Sequence, residues 1–193
     1  MQKLRLLSCV FTALLFSHAA SAQTSVYASA ELTNYGYSSQ INGNFSYSPG
    51  TGHTSFYSDG AGISGGAVYL FSSASRLKAG VDLRGMYSPG SRGGAGSFAS
   101  LRVQFVPQQS PLRPYFDIGG GFLTTVYADS ASSQTGGRGR VTGGAADLNF
   151  GLEIRATPRI SIKAIELGGF AGPDVAHASL GVGVSYRLHP IVL

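Results

Sequence analysis

The feature that most constrains this chain is a run of strict two-residue alternation. From Ala146 to Ile154 every second residue is apolar (Ala146, Leu148, Phe150, Leu152, Ile154), and Asp147, Asn149, Gly151 and Glu153 lie between, with Arg155 next in line. Successive side chains of an extended strand point to opposite faces, so this period predicts a strand with one oily and one polar face. Thr157-Pro158-Arg159 makes a tight turn, and Arg159 to Lys163 alternates again. The result is a two-faced hairpin, and the question it poses is which face is the inside.

The N-terminus bears on the answer. Met1 to Arg5 carries two positive charges, an apolar run follows from Leu6 to Phe16, and Ala20-Ser21-Ala22 supplies small residues before a cut after Ala22. This is the plan of a secretory signal peptide over residues 1–22, too short for a mature membrane helix. Leu6-Leu7-Ser8-Cys9 has the look of a lipidation box, but it precedes most of the apolar run, which argues against that use. Residues 23–193 contain no cysteine, so the exported chain is held by no disulfide.

Cleavage leaves 171 residues, one domain with a sizeable core, and lowers the formal charge from +5 to +3. So small and dispersed an excess gives no footprint for nucleic acid. The chain is rich in Gly (28), Tyr (10) and Phe (11) and lacks Trp. No later run reaches the length of an apolar spanning helix, and no amphipathic helix stands out. The predicted class is all-β.

Eight strands are expected: 25–37, 60–71, 76–87, 96–106, 115–128, the two arms of the hairpin, and 177–188. The seventh slips phase, since strict alternation would place Glu166 beside Ile160 and Ile162. A bulge near Ala164-Ile165 restores the pattern by turning Ile165 and Leu167 outward and Glu166 inward. The longer connections are expected mostly after strands one, three, five and seven. That order, with strands of about ten residues, is the signature of an up-and-down transmembrane barrel, with short turns at one end and long loops at the other.

Apolar residues then face lipid, in contrast to a soluble barrel such as a lipocalin. The polar set fills the lumen: Glu31, Lys78, Asp82, Arg84, Arg102, Asp117, Asp147, Glu153, Arg155, Lys163 and Arg187. Their mixed signs allow pairing across a barrel just wide enough to be filled by side chains. Tyr115 and Tyr127 bracket strand five at about 30 Å along the membrane normal, the spacing of two interfacial girdles. Tyr27, Tyr69, Tyr87 and Tyr186 also lie near strand ends and are expected in those girdles.

These features together resemble the small eight-stranded outer-membrane barrels, the group of the OmpA transmembrane domain, OmpX and the opacity-type adhesins. The resemblance spans residues 23–193 and rests on architecture. It implies a bacterial outer-membrane location, contact with outer-membrane lipids and lipopolysaccharide, and a structural or surface-interaction role. Strand 177–188, with Leu180-Gly181-Val182-Gly183-Val184-Ser185-Tyr186-Arg187-Leu188, resembles the family's C-terminal signal for the barrel-assembly machinery. The family usually ends on an aromatic residue, whereas this chain continues through His189 to Leu193. Either Tyr186 and Leu188 carry the signal or insertion is less efficient.

Catalytic and cofactor signals are weak. Gly60-Ala61-Gly62-Ile63-Ser64-Gly65 matches the dinucleotide fingerprint in letters, but a loop precedes it and a strand follows, where the fingerprint needs a strand and then a helix. His18, His53, His177 and His189 have no metal-ligand spacing. His177 and Ser179 share one face of the last strand, where a lipid-modifying enzyme could use Ser179 as nucleophile and His177 as base, oriented by Asp174 or Glu166. No cofactor or metal is expected, and catalysis is the minor reading beside a narrow channel for small solutes. Segment 38–59 sets Tyr47, Tyr57, Phe45 and Phe56 among Ser, Gly and Asn, a composition suited to an extracellular ligand or to a plain hairpin tip. Arg92, Arg138 and Arg140 suit lipopolysaccharide phosphates or a solvated basic loop.

Overall fold

The computed structural model describes residues 23–37, 56–71, 76–90, 93–128, 138–172 and 175–188. The expected signal peptide, most of segment 38–59, Arg92, Asp174 and the tail after Leu188 lie outside the described residues, as do the side chains of Tyr127, Arg138 and Arg140. Eight strands form: β1 Gln23–Tyr37, β2 Phe56–Leu70, β3 Leu77–Ser88, β4 Gly94–Phe105, β5 Leu112–Ala128, β6 Arg138–Arg155, β7 Ile160–Ala171 and β8 Val175–Arg187. Each pairs antiparallel with its neighbours in sequence, and β1 pairs with β8, from Ser25 opposite Arg187 to Tyr37 opposite Val175. Closure leaves no sheet edge to be covered.

Alternation sets the two surfaces. Along β3, Lys78, Asp82, Arg84 and Met86 are buried while Leu77, Leu83 and Tyr87 are exposed. The pattern recurs around the wall: Leu32, Ile63, Leu101, Phe122 and Phe150 are each at least 60% exposed, whereas Asp117 and Lys163 are 0% exposed. Apolar surface on this scale has no place in water. From Leu77 to Tyr87 the apolar face of β3 covers about 25 Å along the barrel axis, the height of a lipid-facing band.

In β7 the pairing with β8 shifts between Lys163 and Glu166, so that Ala164 and Ile165 stand opposite Val182 alone. The same extra residue appears against β6, where Leu152 meets Ile165 and Glu153 meets Lys163. This is the bulge expected from the phase slip. Ile165 and Leu167 are exposed and Glu166 is buried.

Both ends of the described chain, Gln23 and Leu188, lie at one end of the barrel, here called the base, with connections 71–76, 106–111 and 156–159; the other end is the rim. The expected length order holds for only two rim connections, 38–55 and 129–137. The others, 89–93 and 172–174, are as short as the base turns. The asymmetry resides instead in the strands. The β5–β6 ladder runs on to Ala128 opposite Arg138, well past the Ala146–Ala171 pair where β6 leaves β7. Likewise β1–β2 continues to Tyr37 opposite Phe56, while β2 leaves β3 at Ile63. Two ladders therefore stand proud of an uneven rim.

Candidate functional site in the barrel lumen

Period two delivers polar side chains from every strand to the axis, and the interior is organised in layers. In the middle, Arg102 of β4 lies directly across the ladder from Asp117 of β5. Its Nε donates to Asp117 Oδ1 and its Nη2 to Asp117 Oδ2, both at 2.7 Å, and Nη2 also donates to Asp82 Oδ2 at 2.8 Å. The guanidinium sits 4.1 Å from the centre of the Tyr115 ring. Arg84 reaches across the lumen: Nε donates to the Tyr27 hydroxyl at 3.0 Å and Nη1 to Asn149 Oδ1 at 2.7 Å, and Nη1 lies 3.1 Å from Glu166 Oε1. Glu166 is further held by Lys163 at 2.6 Å and by the Tyr115 hydroxyl, which donates to it. Lys163 Nζ also lies 3.8 Å from the centre of the Tyr27 ring, a cation–π contact. Ser64 donates to Glu31, and Ser100 donates to Asp147 at 2.6 Å.

Among the described residues the buried charges are six acids (Glu31, Asp82, Asp117, Asp147, Glu153, Glu166) and six bases (Lys78, Arg84, Arg102, Arg113, Lys163, Arg187). The lumen is formally neutral, which limits the cost of holding so many charges away from water. Space for the large members comes from glycine across the ladder. Gly66 faces Tyr27 and Gly151 faces Tyr115. A Cβ on either glycine would run into the ring opposite.

Towards the rim the interior turns apolar. Met86, Phe98, Leu123, Ala145 and Phe170 form a buried cluster. Phe98 and Phe170 stack at 4.2 Å and 4°, and His177 stacks on Phe170 at 4.9 Å and 16°.

Ten of the eleven charges expected in the lumen are buried there: Glu31, Lys78, Asp82, Arg84, Arg102, Asp117, Asp147, Glu153, Lys163 and Arg187. Arg155 is the exception. It has the right parity, opposite Ser161, but it is the last residue of β6 and is exposed at the base. The girdle expectation needs a larger correction. Tyr27 and Tyr115 are 7% and 2% exposed and point inward, because they share parity with Ser29 and Asp117, and parity, not distance from the strand end, decides the face. Tyr87 and Tyr186 lie on the outer surface, and Tyr69 is half-buried with its ring edge-on to Phe71 at 5.5 Å.

Glu166, Arg113, Gln104, Asn149 and the rim aromatics complete the interior without having been singled out as a set. Parity alone gives Gln104, Arg113 and Asn149, whereas Glu166 and Phe170 face inward only because of the bulge at Ala164-Ile165. His177 and Ser179 do share a face, but it is the lumen face, and His177 is 4% exposed. Glu166, expected as a possible orienting carboxylate for that pair, is engaged by Arg84, Lys163 and Tyr115. Among the described residues no cluster of His, Cys, Asp and Glu is arranged to hold a metal ion.

No protein-family model and no curated protein matches the sequence. Solved structures do match its fold. Ail, the attachment invasion locus protein of Yersinia pestis, aligns at TM-score 0.58 and 11% identity, covering 87% of this chain and 99% of that one. Neisserial surface protein A aligns at 0.52 and 16%, covering 86% and 98%. The N-terminal β-barrel domain of Pseudomonas aeruginosa OprF aligns at 0.51 and 18%, covering 86% and 100%. The chain has the fold of the small eight-stranded outer-membrane barrels.

Proposed function

We propose that the protein is an integral outer-membrane β-barrel, exported by residues 1–22, with a structural or surface-interaction role and a lumen closed to solutes. The observation that carries this reading is the ion-pair network linking β3, β4, β5 and β7 across the axis, which leaves Arg102, Asp117 and Lys163 at most 1% exposed. In this orientation the base faces the periplasm and the projecting β1–β2 and β5–β6 ladders face outward as the contact surface. Arg138 and Arg140 of β6, with Arg92 in connection 89–93, give the outer end charge for lipopolysaccharide phosphates. Strand 177–188 is the segment offered to the barrel-assembly machinery. Catalysis on lipid finds little support, since His177 is turned to the interior and stacked on Phe170.

Single-channel recording tests the closed lumen. Residues 23–193 refolded into a planar bilayer are expected to give no conductance steps above background. Reproducible openings would replace this reading with the narrow channel, lined by Arg84, Arg102, Asp117 and Glu153.

A further inference from the structure

The neutral interior is not neutral along its length. The middle layer holds five acids and three bases, and the base layer holds Lys78, Arg113 and Arg187 with Glu153 as the one acid among its buried side chains. Glu153 is already drawn upward, lying 3.6 Å from Arg102 and accepting from Gln104 Nε2 at 3.2 Å. Arg187 is held by the Pro158 carbonyl at 2.9 Å and, with the Gln23 amide turned oxygen-first, by that oxygen at 2.7 Å.

Lys78 and Arg113 differ. They are 4% and 5% exposed, and neither makes a hydrogen bond or an ion pair within 4 Å with another described residue. The Arg113 Nε is buried without any partner. Arg113 and Arg187 both repel Lys78; at Arg113, which stands across the ladder from Glu153 but beyond ion-pair distance of it, the repulsion of Arg155 outweighs the attraction of that carboxylate. A buried cation without a partner is costly, and neighbours of like sign raise the cost.

We propose that the base of the lumen is an oxyanion-binding vestibule, in which Lys78 and Arg113, with Arg187 beside them, take a phosphate-class group from the periplasmic side. The chemistry suits the residues. A guanidinium fork meets two oxygens of a phosphate, and an ammonium adds a point charge to a third. Phosphate groups are present both as soluble anions and as lipid headgroups, and the site would accept either. The inference uses the outer-membrane orientation only to name the side; the charge arrangement stands without it.

The test uses the folded barrel in zwitterionic detergent, titrated calorimetrically with inorganic phosphate at constant ionic strength. Saturable binding is expected, weakened at least tenfold by Arg113→Gln and by Lys78→Gln, and changed less than twofold by Arg76→Gln, whose exposed guanidinium turns to Gln108 at 3.5 Å. Repeating the titration in micelles containing phosphatidylglycerol separates the sources. Phosphate binding lost there identifies a lipid headgroup, and binding retained identifies a soluble anion; both outcomes uphold the site. Absence of saturable binding, or an equal loss with Arg76→Gln, would overturn it. Should Arg113→Gln not fold, thermal unfolding decides. Phosphate should raise the melting temperature of the unaltered barrel and leave that of Lys78→Met unchanged, and equal rises in both would refute the proposal.

Discussion

Arg102→Met is the sharpest perturbation of the middle layer. The side chain is 1% exposed, donates three hydrogen bonds of 2.7 to 2.8 Å to Asp117 and Asp82, and lies over Tyr115. Methionine fills much of the volume but leaves the lumen with one uncompensated negative charge. Asp82 keeps the Tyr27 hydroxyl at 3.0 Å and Arg84 at 3.5 Å, whereas Asp117 keeps only the Arg84 contact at 3.6 Å. Breaking a buried pair in this way costs about 3–5 kcal/mol, or roughly 100- to 4,000-fold in the folding equilibrium. The double variant Arg102→Met/Asp117→Leu restores neutrality and should recover most of that loss. Urea titration in phosphatidylcholine vesicles, with the folded fraction read from the migration of unboiled protein on a denaturing gel, measures both. The gel readout matters because the chain has no Trp to report unfolding by fluorescence. A loss below about 1 kcal/mol for Arg102→Met, or a double variant no more stable than the single one, would refute the idea that charge balance holds the lumen together.

Two further outcomes are expected. Gly151→Ala places a methyl group against the Tyr115 ring and should cost about 1–3 kcal/mol, while Gly144→Ala, with open space at the Cβ, should change stability little; the same urea assay compares them. Leu101→Arg, at mid-height on the outer surface, should destabilise by about 2–4 kcal/mol in vesicles and Leu77→Arg, at the base edge, by about 0–1 kcal/mol. Equal costs at the two positions would mean that the outer surface does not meet a bilayer.

How much of this was legible in the chain depended on how local the signal was. Strand phase is written in each run of six or more residues, so the polar interior, the apolar exterior and the bulge at Ala164-Ile165 could all be read directly. Tyr27 and Tyr115 were misassigned because their position near strand ends was weighed above their parity, although parity is the stricter rule. Arg155 shows the opposite limit, where parity is right but the strand ends before the lumen does. In the rim stack, Phe170 and His177 simply face each other across the β7–β8 hairpin, but Phe98 belongs to β4, distant from both in sequence, and only closure of the barrel brings its ring onto Phe170. Connection lengths misled because the outer asymmetry lies in overlong ladders, and a ladder and a loop of the same composition look alike in a sequence.

The closing strand carries a consequence for assembly. Between His177 at the rim and Arg187 at the base, β8 presents only Ser179, Gly181, Gly183 and Ser185 to the interior. Every charge of the middle layer therefore belongs to the seven strands that precede it. An open seven-stranded sheet already holds the complete set of partners, and the last strand can zip against β1 and β7 without carrying an ionised group past them. Closure at this seam therefore meets no electrostatic barrier of its own in the middle layer.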